Sequence, residues 1–235
     1  MKKLQDHVAV ITGGSRGIGK EIARALASNG ANVVLAARSA QNLDATVKEL
    51  QSDGLAAIGV QADVTVQEDV ERLIHSTHQK FGRINILVNN AGIGVFKPAA
   101  EMQIEEFDAM WNVNVRGVFL ATKAVLPYML KAKSGNIVNI SSLAGKNSFK
   151  GGTGYAATKW ALRGFASSLM LEVRDSNIRV VTIFPGSVNT HFSSTSLRGD
   201  KITQPEDVAD AVVFAVTAHE RSMFSEIDLR PTHPK

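Results

Sequence analysis

Short runs rich in β-branched residues alternate with longer stretches of helical spacing along the 235-residue chain, and this alternation limits the fold more than any other feature. Strands are predicted at 7–12, 32–37, 56–61, 84–89, 135–141, 178–184 and 226–229. Helices are predicted at 18–28, 40–51, 67–81, 105–131, 155–175 and 205–218. Because strand–helix–strand repeats join parallel strands, the pattern predicts an α/β fold: a doubly wound, seven-stranded, mostly parallel sheet with helices on both faces.

The chain has no linker rich in Pro, Gly or Ser and no internal repeat, so residues 1–235 are predicted to form a single domain. The least patterned segment is 186–203, which is rich in Ser and Thr. A connection of this length inside a compact domain is usually a lid or a binding loop. We therefore expect a flexible loop beside the substrate.

Composition narrows the class of protein. A hydrophobic fraction of 44% and a charged fraction of 20% are typical of a folded globular protein. The net charge is +4 with scattered Lys and Arg, so no nucleic-acid partner is predicted, although an anionic cofactor would suit. No run approaches the roughly 18 apolar residues of a membrane span, and no signal peptide is evident, so a cytoplasmic protein without a membrane partner is expected.

A glycine-rich turn follows the first strand and precedes the first helix. Gly13, Gly17 and Gly19 would allow a tight turn and a close approach of the backbone to a ligand. Their spacing differs from the G-x-G-x-x-G pattern of dinucleotide-binding proteins, but the strand–turn–helix context is the same. The helix would offer its N-terminal amides to a phosphate. We predict a Rossmann-type nucleotide site here.

The end of the second strand indicates which nucleotide is bound. An acidic residue at this place would bind the ribose 2′-hydroxyl of NAD, but the chain has Ala37 and Arg38 instead. Arg38 presents a guanidinium that suits a 2′-phosphate, and Arg16 in the glycine turn could bind the same group. The sequence therefore favours NADP as the cofactor.

Tyr155 and Lys159 lie four positions apart, which places them on one face of a predicted helix. With Thr12, Asn89–Gly92, Asn114, Ser142 and Pro185–Gly186, and with the glycine turn, they resemble the short-chain dehydrogenase/reductase family. The resemblance extends from Val8 to about Thr190. Its motifs occur in the family's order and at the family's spacing.

The resemblance implies a catalytic set of four residues. Tyr155 would exchange a proton with the substrate oxygen. Lys159, with the positive charge of oxidised nicotinamide, would favour the phenolate and would hold the nicotinamide ribose. Ser142 would hydrogen-bond the carbonyl oxygen. Asn114 would hold a water that passes protons to Lys159.

The resemblance also implies most of the cofactor contacts. Asp63 and Val64 would contact adenine, Asn90–Gly92 would lie near the adenosine half, and the segment after Pro185 would hold the nicotinamide amide. The full predicted set is Gly13, Ser15, Arg16, Gly17, Ile18, Gly19, Arg38, Ser39, Asp63, Val64, Asn90, Ala91, Gly92, Tyr155, Lys159, Pro185, Gly186, Val188 and Thr190. Phe96, Phe149 and Phe192 follow motif residues and are the candidates for the substrate pocket. No metal site is predicted, since His75 and His78 lack a third ligand nearby in sequence.

These features favour NADPH-dependent reduction of a small ketone or aldehyde, reversible as oxidation of a secondary alcohol. One alternative is a 3-oxoacyl reductase that acts on the thioester of an acidic acyl carrier protein. An alternative of another class is a non-catalytic regulator that senses NADP. The chain ends SEIDLRPTHPK, without the glycine-rich tail of many family members. This difference favours reduction of a small ketone or aldehyde over the 3-oxoacyl reductase alternative. Small residues on the Tyr155 helix could pack against a twofold partner, so a homodimer or homotetramer is expected.

Overall fold

The computed structural model describes residues 3–190, 192 and 201–232. The strands are β1 (Val8–Thr12), β2 (Asn32–Ala37), β3 (Ala57–Gln61), β4 (Ile86–Asn89), β5 (Gly135–Ile140), β6 (Ile178–Pro185) and β7 (Glu226–Leu229). The helices are α1 (Gly17–Ser28), α2 (Ala40–Ser52), α3 (Gln67–Phe81), α4 (Ile104–Trp111), α5 (Gly117–Ala132), α6 (Thr153–Val173) and α7 (Pro205–Val216). Short 3₁₀ turns lie at Leu143–Gly145 and Arg174–Ser176.

The strands form one seven-stranded sheet in the order β3-β2-β1-β4-β5-β6-β7. Every neighbouring pair is parallel, so the predicted fold class is confirmed, with a fully parallel sheet. The chain passes from β3, at one edge, to β4 beside β1. This reversal of direction opens a crevice beyond the carboxyl ends of β1 and β4, where ligands of doubly wound sheets bind.

The central strands are buried on both faces because helices cover the sheet on each side. All five residues of β1 and all six of β5 are buried. On one face, the core joins the sheet to α1, α2 and α7 through residues such as Ile22, Leu43 and Val212. On the other face, α3, α5 and α6 contribute Leu73, Val125 and Leu169. Burial of each such side chain stabilises the fold by about 1.5–3 kcal/mol.

The region predicted as one helix at 105–131 is interrupted by a wide turn. Residues Asn112–Arg116 form a π-helical segment between α4 and α5. The apolar spacing continues through both flanking helices, so the sequence pattern alone does not reveal the extra residue that a π turn contains. Asn114 lies in the middle of this segment, and its side chain points inward, with an exposed fraction of 1%.

The edge strand β7 pairs with β6 and carries an ion-pair network on one face. Glu226 bonds to Lys146 and to Arg163, at 2.7 Å in each case, and Lys146 also bonds to Asp228. Lys146 follows the 3₁₀ turn after Ser142, and Arg163 lies on α6. The network therefore joins the edge of the sheet to the segments that carry Ser142 and Tyr155. Charged side chains on an edge strand also oppose pairing with foreign strands.

The predicted loop at 186–203 lies partly outside the described residues. Its two described ends meet, because Val188 pairs with Thr203 and the Asn189 amide donates to the Thr203 carbonyl at 2.9 Å. Among the residues that the structure describes, no helix is both long and apolar enough to cross a membrane.

Candidate active site

The glycine turn after β1 has the geometry that close approach of a ligand requires. Gly13 and Gly17 have φ angles of +66° and +52°, in the left-handed region that favours glycine. A Cβ on Gly19 would overlap the Gly13 carbonyl oxygen and would lie 2.5 Å from Asn90 Nδ2. A side chain is therefore excluded at Gly19 and would strain the backbone at Gly13 and Gly17, so the turn leaves its backbone amides accessible at the start of α1.

Hydrogen bonds fix the glycine turn against the end of β4. Asn90 Nδ2 donates to the carbonyl oxygens of Thr12 and Gly13, at 3.0 and 3.1 Å. Thr12 Oγ1 accepts from the backbone amides of Asn90 and Ala91, both at 3.1 Å. These bonds fix the position of the glycine turn relative to the segment after β4. Asn90 and Ala91 thus have a structural role, and their contact with the cofactor stays a prediction.

The N-terminus of α1 has the features of an anion-binding site. Arg16 takes the N-cap position without a side-chain cap, and the first turn contains no acidic residue. The helix N-terminus therefore has free amide donors and an uncompensated positive dipole end. Phosphate groups bind such termini. The residues present at the turn thus fit a dinucleotide.

Arg16 and Arg38 are exposed and line the same cavity. Over the described parts of the chain, neither guanidinium has a carboxylate within ion-pair distance, so both are available to an anionic ligand. Ser39 accepts from the Asn42 amide at 3.3 Å and caps α2. Ser39 therefore lies at the cavity but its hydroxyl already has a structural bond.

One cavity of about 1800 Å³ contains nearly all the predicted site residues. Every predicted cofactor contact and all three candidate pocket residues line it, together with Ser142. The exception among the predicted site residues is Asn114, which does not line the cavity. Residues as far apart in the chain as Gly13 and Phe192 are thus brought to one surface by the carboxyl ends of the strands.

Tyr155 lies near the start of α6, with an exposed fraction of 7%. Burial raises the pKa of its phenol to about 12, and a hydrogen bond with the Ser142 hydroxyl opposes part of that rise. Ser142 Oγ also accepts from the Ala144 amide at 3.1 Å, which orients the hydroxyl. The two side chains predicted to act on the substrate oxygen are therefore in contact.

Lys159 is buried one turn further along α6. Its Nζ donates to the Ile140 carbonyl at 3.1 Å and lies 5.7 Å from the centroid of the Tyr155 ring. Burial lowers the pKa of the ammonium to about 8. The sequence analysis predicts that Lys159 favours the phenolate when oxidised nicotinamide is bound. The residues of the chain alone keep the phenol protonated.

Asn114 is held by three hydrogen bonds. Its Nδ2 donates to Ile93 O at 2.9 Å and to Thr158 Oγ1 at 3.0 Å, and its Oδ1 accepts from Ile93 N at 2.9 Å. One lone pair of Oδ1 remains. A Cβ at Gly92 would lie 3.4 Å from this oxygen and 3.8 Å from Lys159 Nζ, so the two polar groups approach one another beside Gly92. The side chain thus positions the loop after β4, and the water predicted there remains a prediction.

Some residues that line the cavity were not predicted from the sequence. Arg230 and Pro231 line the cavity because β7 pairs with β6 and the Gly186 amide donates to Leu229 O at 2.8 Å. Pro231 Cδ and Leu143 Cδ1 each come within 3.2 Å of the place that a Cβ on Gly186 would take. Strand pairing, which no local motif reports, brings these residues to the site. The pattern after β7 could have indicated them only once the sheet order was known.

Comparisons with known proteins agree with the site. The sequence profile of the family described as short chain dehydrogenase matches residues 7–201. An uncharacterized oxidoreductase of Staphylococcus saprophyticus is 38% identical over 233 residues, which cover 98% of this chain and 100% of the relative.

Two solved structures share the whole fold. A metagenomic short-chain oxidoreductase in complex with NADP has a TM-score of 0.87 and 38% identity, with coverage of 98% of this chain and 99% of that chain. An alcohol dehydrogenase from the archaeon Thermococcus sibiricus, complexed with 5-hydroxy-NADP, has a TM-score of 0.90 and 34% identity, with coverage of 97% and 98%. On its profile match, its relatives and its fold, the chain is an oxidoreductase that belongs to the short-chain dehydrogenase family.

Proposed function

We propose that the protein catalyses NADPH-dependent reduction of a ketone or aldehyde, and the reverse oxidation of a secondary alcohol. The observation that carries the proposal is the contact between a protonated Tyr155 and Ser142 in the same cavity as the glycine turn, Arg16 and Arg38. The two NADP-bound structural relatives support the choice of cofactor. NADPH would supply the hydride.

Tyr155 is suited to give a proton to a carbonyl oxygen. Because burial keeps the phenol protonated at neutral pH, the donor form is the one present before reduction. Ser142 would hydrogen-bond the same oxygen, where negative charge develops. In the reverse direction, Tyr155 would accept the hydroxyl proton of the alcohol.

Lys159 would stabilise the phenolate that remains after the proton is given. Its ammonium lies close to the ring, and it is buried where charge interactions are strong. The lowered pKa also allows Lys159 to exchange a proton near physiological pH. Asn114 Oδ1 and Lys159 Nζ lie on the same side of Gly92, and a water between them would complete a path for protons to Lys159.

The pH dependence of catalysis tests the role of Lys159. We expect kcat/KM for NADPH to fall above about pH 8, because the buried ammonium loses its proton there and not near 10.5. The fall should approach about tenfold per pH unit, as for the loss of one essential proton. Initial rates between neutral and alkaline pH measure this fall in kcat/KM. Circular dichroism at each pH checks that the protein stays folded. A profile that stays level up to the pKa of an ordinary lysine would contradict the assigned role.

The proposed function itself is tested by following NADPH absorbance with a panel of ketones, diketones, aldehydes and an acetoacetyl thioester. Consumption of NADPH with equal formation of alcohol is the expected result. A clear preference for the thioester would instead favour a 3-oxoacyl reductase. Tight NADPH binding without turnover of any carbonyl compound would favour the non-catalytic regulator.

A further inference from the structure

Three phenylalanine rings cluster around Tyr155 in the cavity. The Phe96 ring meets the Tyr155 ring edge-on, at 5.2 Å between centroids. Phe149 packs against Phe96 at 6.0 Å, and Phe192 lies 6.0 Å from Tyr155. We name Phe96, Phe149 and Phe192 the phenylalanine cluster. The cluster is in direct contact with the proposed proton donor.

The cluster leaves much apolar surface uncovered. The exposed fractions of Phe96, Phe149 and Phe192 are 43, 44 and 45%, whereas Phe184 in the core has none. Apolar area in water is unfavourable in proportion to its extent, and a ligand that covered it would gain that free energy. Because all three rings line one cavity, one ligand group could cover them together.

Two glycines provide the space in which the rings lie. A Cβ on Gly94 would be 2.9 Å from Phe192 Cε1 and 3.0 Å from Phe96 Cζ. A Cβ on Gly152 would be 2.5 Å from Phe149 Cε1. The distances to Phe192 and Phe149 are shorter than real Cβ contacts, so a side chain at either glycine would displace a ring. Glycine at these two positions therefore keeps the space that the rings of the cluster occupy.

We propose that the phenylalanine cluster binds an aryl group attached to the reacting carbonyl, and that aryl ketones or aryl aldehydes are the preferred substrates. This inference rests on the proposed function, since it concerns the same site. A carbonyl oxygen bonded to Tyr155 places its substituents beside the ring that already packs edge-on against the phenol. Aromatic pairs at such distances are more stable than aliphatic contacts of equal area, because ring edges and faces carry opposite partial charge.

The test compares acetophenone with cyclohexyl methyl ketone and 2-octanone, which contain the same number of carbon atoms. We expect kcat/KM for acetophenone to exceed that of either by about three- to tenfold, the ratio that one or two favourable ring pairs produce. Phe96→Leu and Phe149→Leu should each lower the ratio of kcat/KM for acetophenone to kcat/KM for 2-octanone toward 1.

Phe119→Leu is the matched control. Phe119 is exposed to 49% on α5, outside the cavity lining, and should leave the substrate ratio unchanged. Saturation-transfer NMR of acetophenone, which needs no turnover, separates this inference from the proposed function. Acetophenone binding that Phe96→Leu weakens would support the cluster even in a protein that reduces no carbonyl compound. Turnover with equal or greater preference for 2-octanone, or an unchanged ratio in Phe96→Leu, would overturn it.

Discussion

Replacing Tyr155 with phenylalanine is expected to lower kcat for carbonyl reduction by about 10²- to 10⁴-fold, the range for loss of a positioned proton donor. The substitution keeps the ring and its edge-on packing against Phe96, and removes only the hydroxyl that bonds to Ser142. Thermal stability and the Kd for NADPH should therefore stay close to those of the parent protein. Steady-state kinetics and NADPH fluorescence titration give the two readouts.

Tyr128→Phe is the matched control for this experiment, because Tyr128 is the only other tyrosine of the chain. Its hydroxyl lies on the surface, 3.5 Å from His75 Nδ1, and its loss should leave kcat unchanged. Activity of Tyr155→Phe within about tenfold of the parent protein would remove Tyr155 from the role of proton donor.

The second large effect is expected for cofactor choice. Ala37→Asp combined with Arg38→Gln should weaken NADPH binding by two or more orders of magnitude and improve NADH binding. Each charge-assisted bond to a phosphate contributes about 1.5–3 kcal/mol, or roughly 10- to 150-fold in affinity, and the new carboxylate would repel the 2′-phosphate. Kd values for both nucleotides, titrated at low and high salt, measure the change.

Several features make this test specific. Arg16 lies on the glycine turn and should preserve part of the preference for NADPH in the double variant. Because Arg16 and Arg38 are exposed, high salt should reduce the ratio by which the parent protein binds NADPH more tightly than NADH. Arg83→Gln, another exposed arginine that is outside the cavity lining, should alter neither Kd. Equal affinity of the parent protein for NADH and NADPH would refute the interpretation of Arg38.

The sequence was sufficient to predict where the strands and most helices lie, because alternating apolar periods and glycine turns are local signals. Strands β2 and β7 and helix α3 have the predicted bounds, and other elements differ by a few residues at their ends. The motif residues also predicted which parts of the chain meet at one cavity. Parallel strands bring their carboxyl ends to one edge, so motifs at strand ends become neighbours.

Properties that depend on burial or on strand order could not be predicted from the sequence. The opposite pKa shifts of Tyr155 and Lys159 come from desolvation, which spacing along a helix does not report. Asn114 is conspicuous as a polar residue in an apolar stretch, but only its bonds to Ile93 and Thr158 show that it lies behind the cavity wall. Arg230 reaches the cavity through the pairing of β6 with β7.

The π-helical segment Asn112–Arg116 has a consequence for how this region tolerates changes in length. Each α-helical residue turns the chain by about 100°, so a π turn stores one residue more than an α turn would need. Deleting one residue there would leave an α turn in its place, so α4 would keep its rotation relative to α5. The same deletion within α5 would turn everything before it by about 100° and would move the stacked pair Phe107 and Trp111 to another face. The segment can therefore lose a residue without changing which faces the two helices present, although the site would still need the bonds between Asn114 and Ile93.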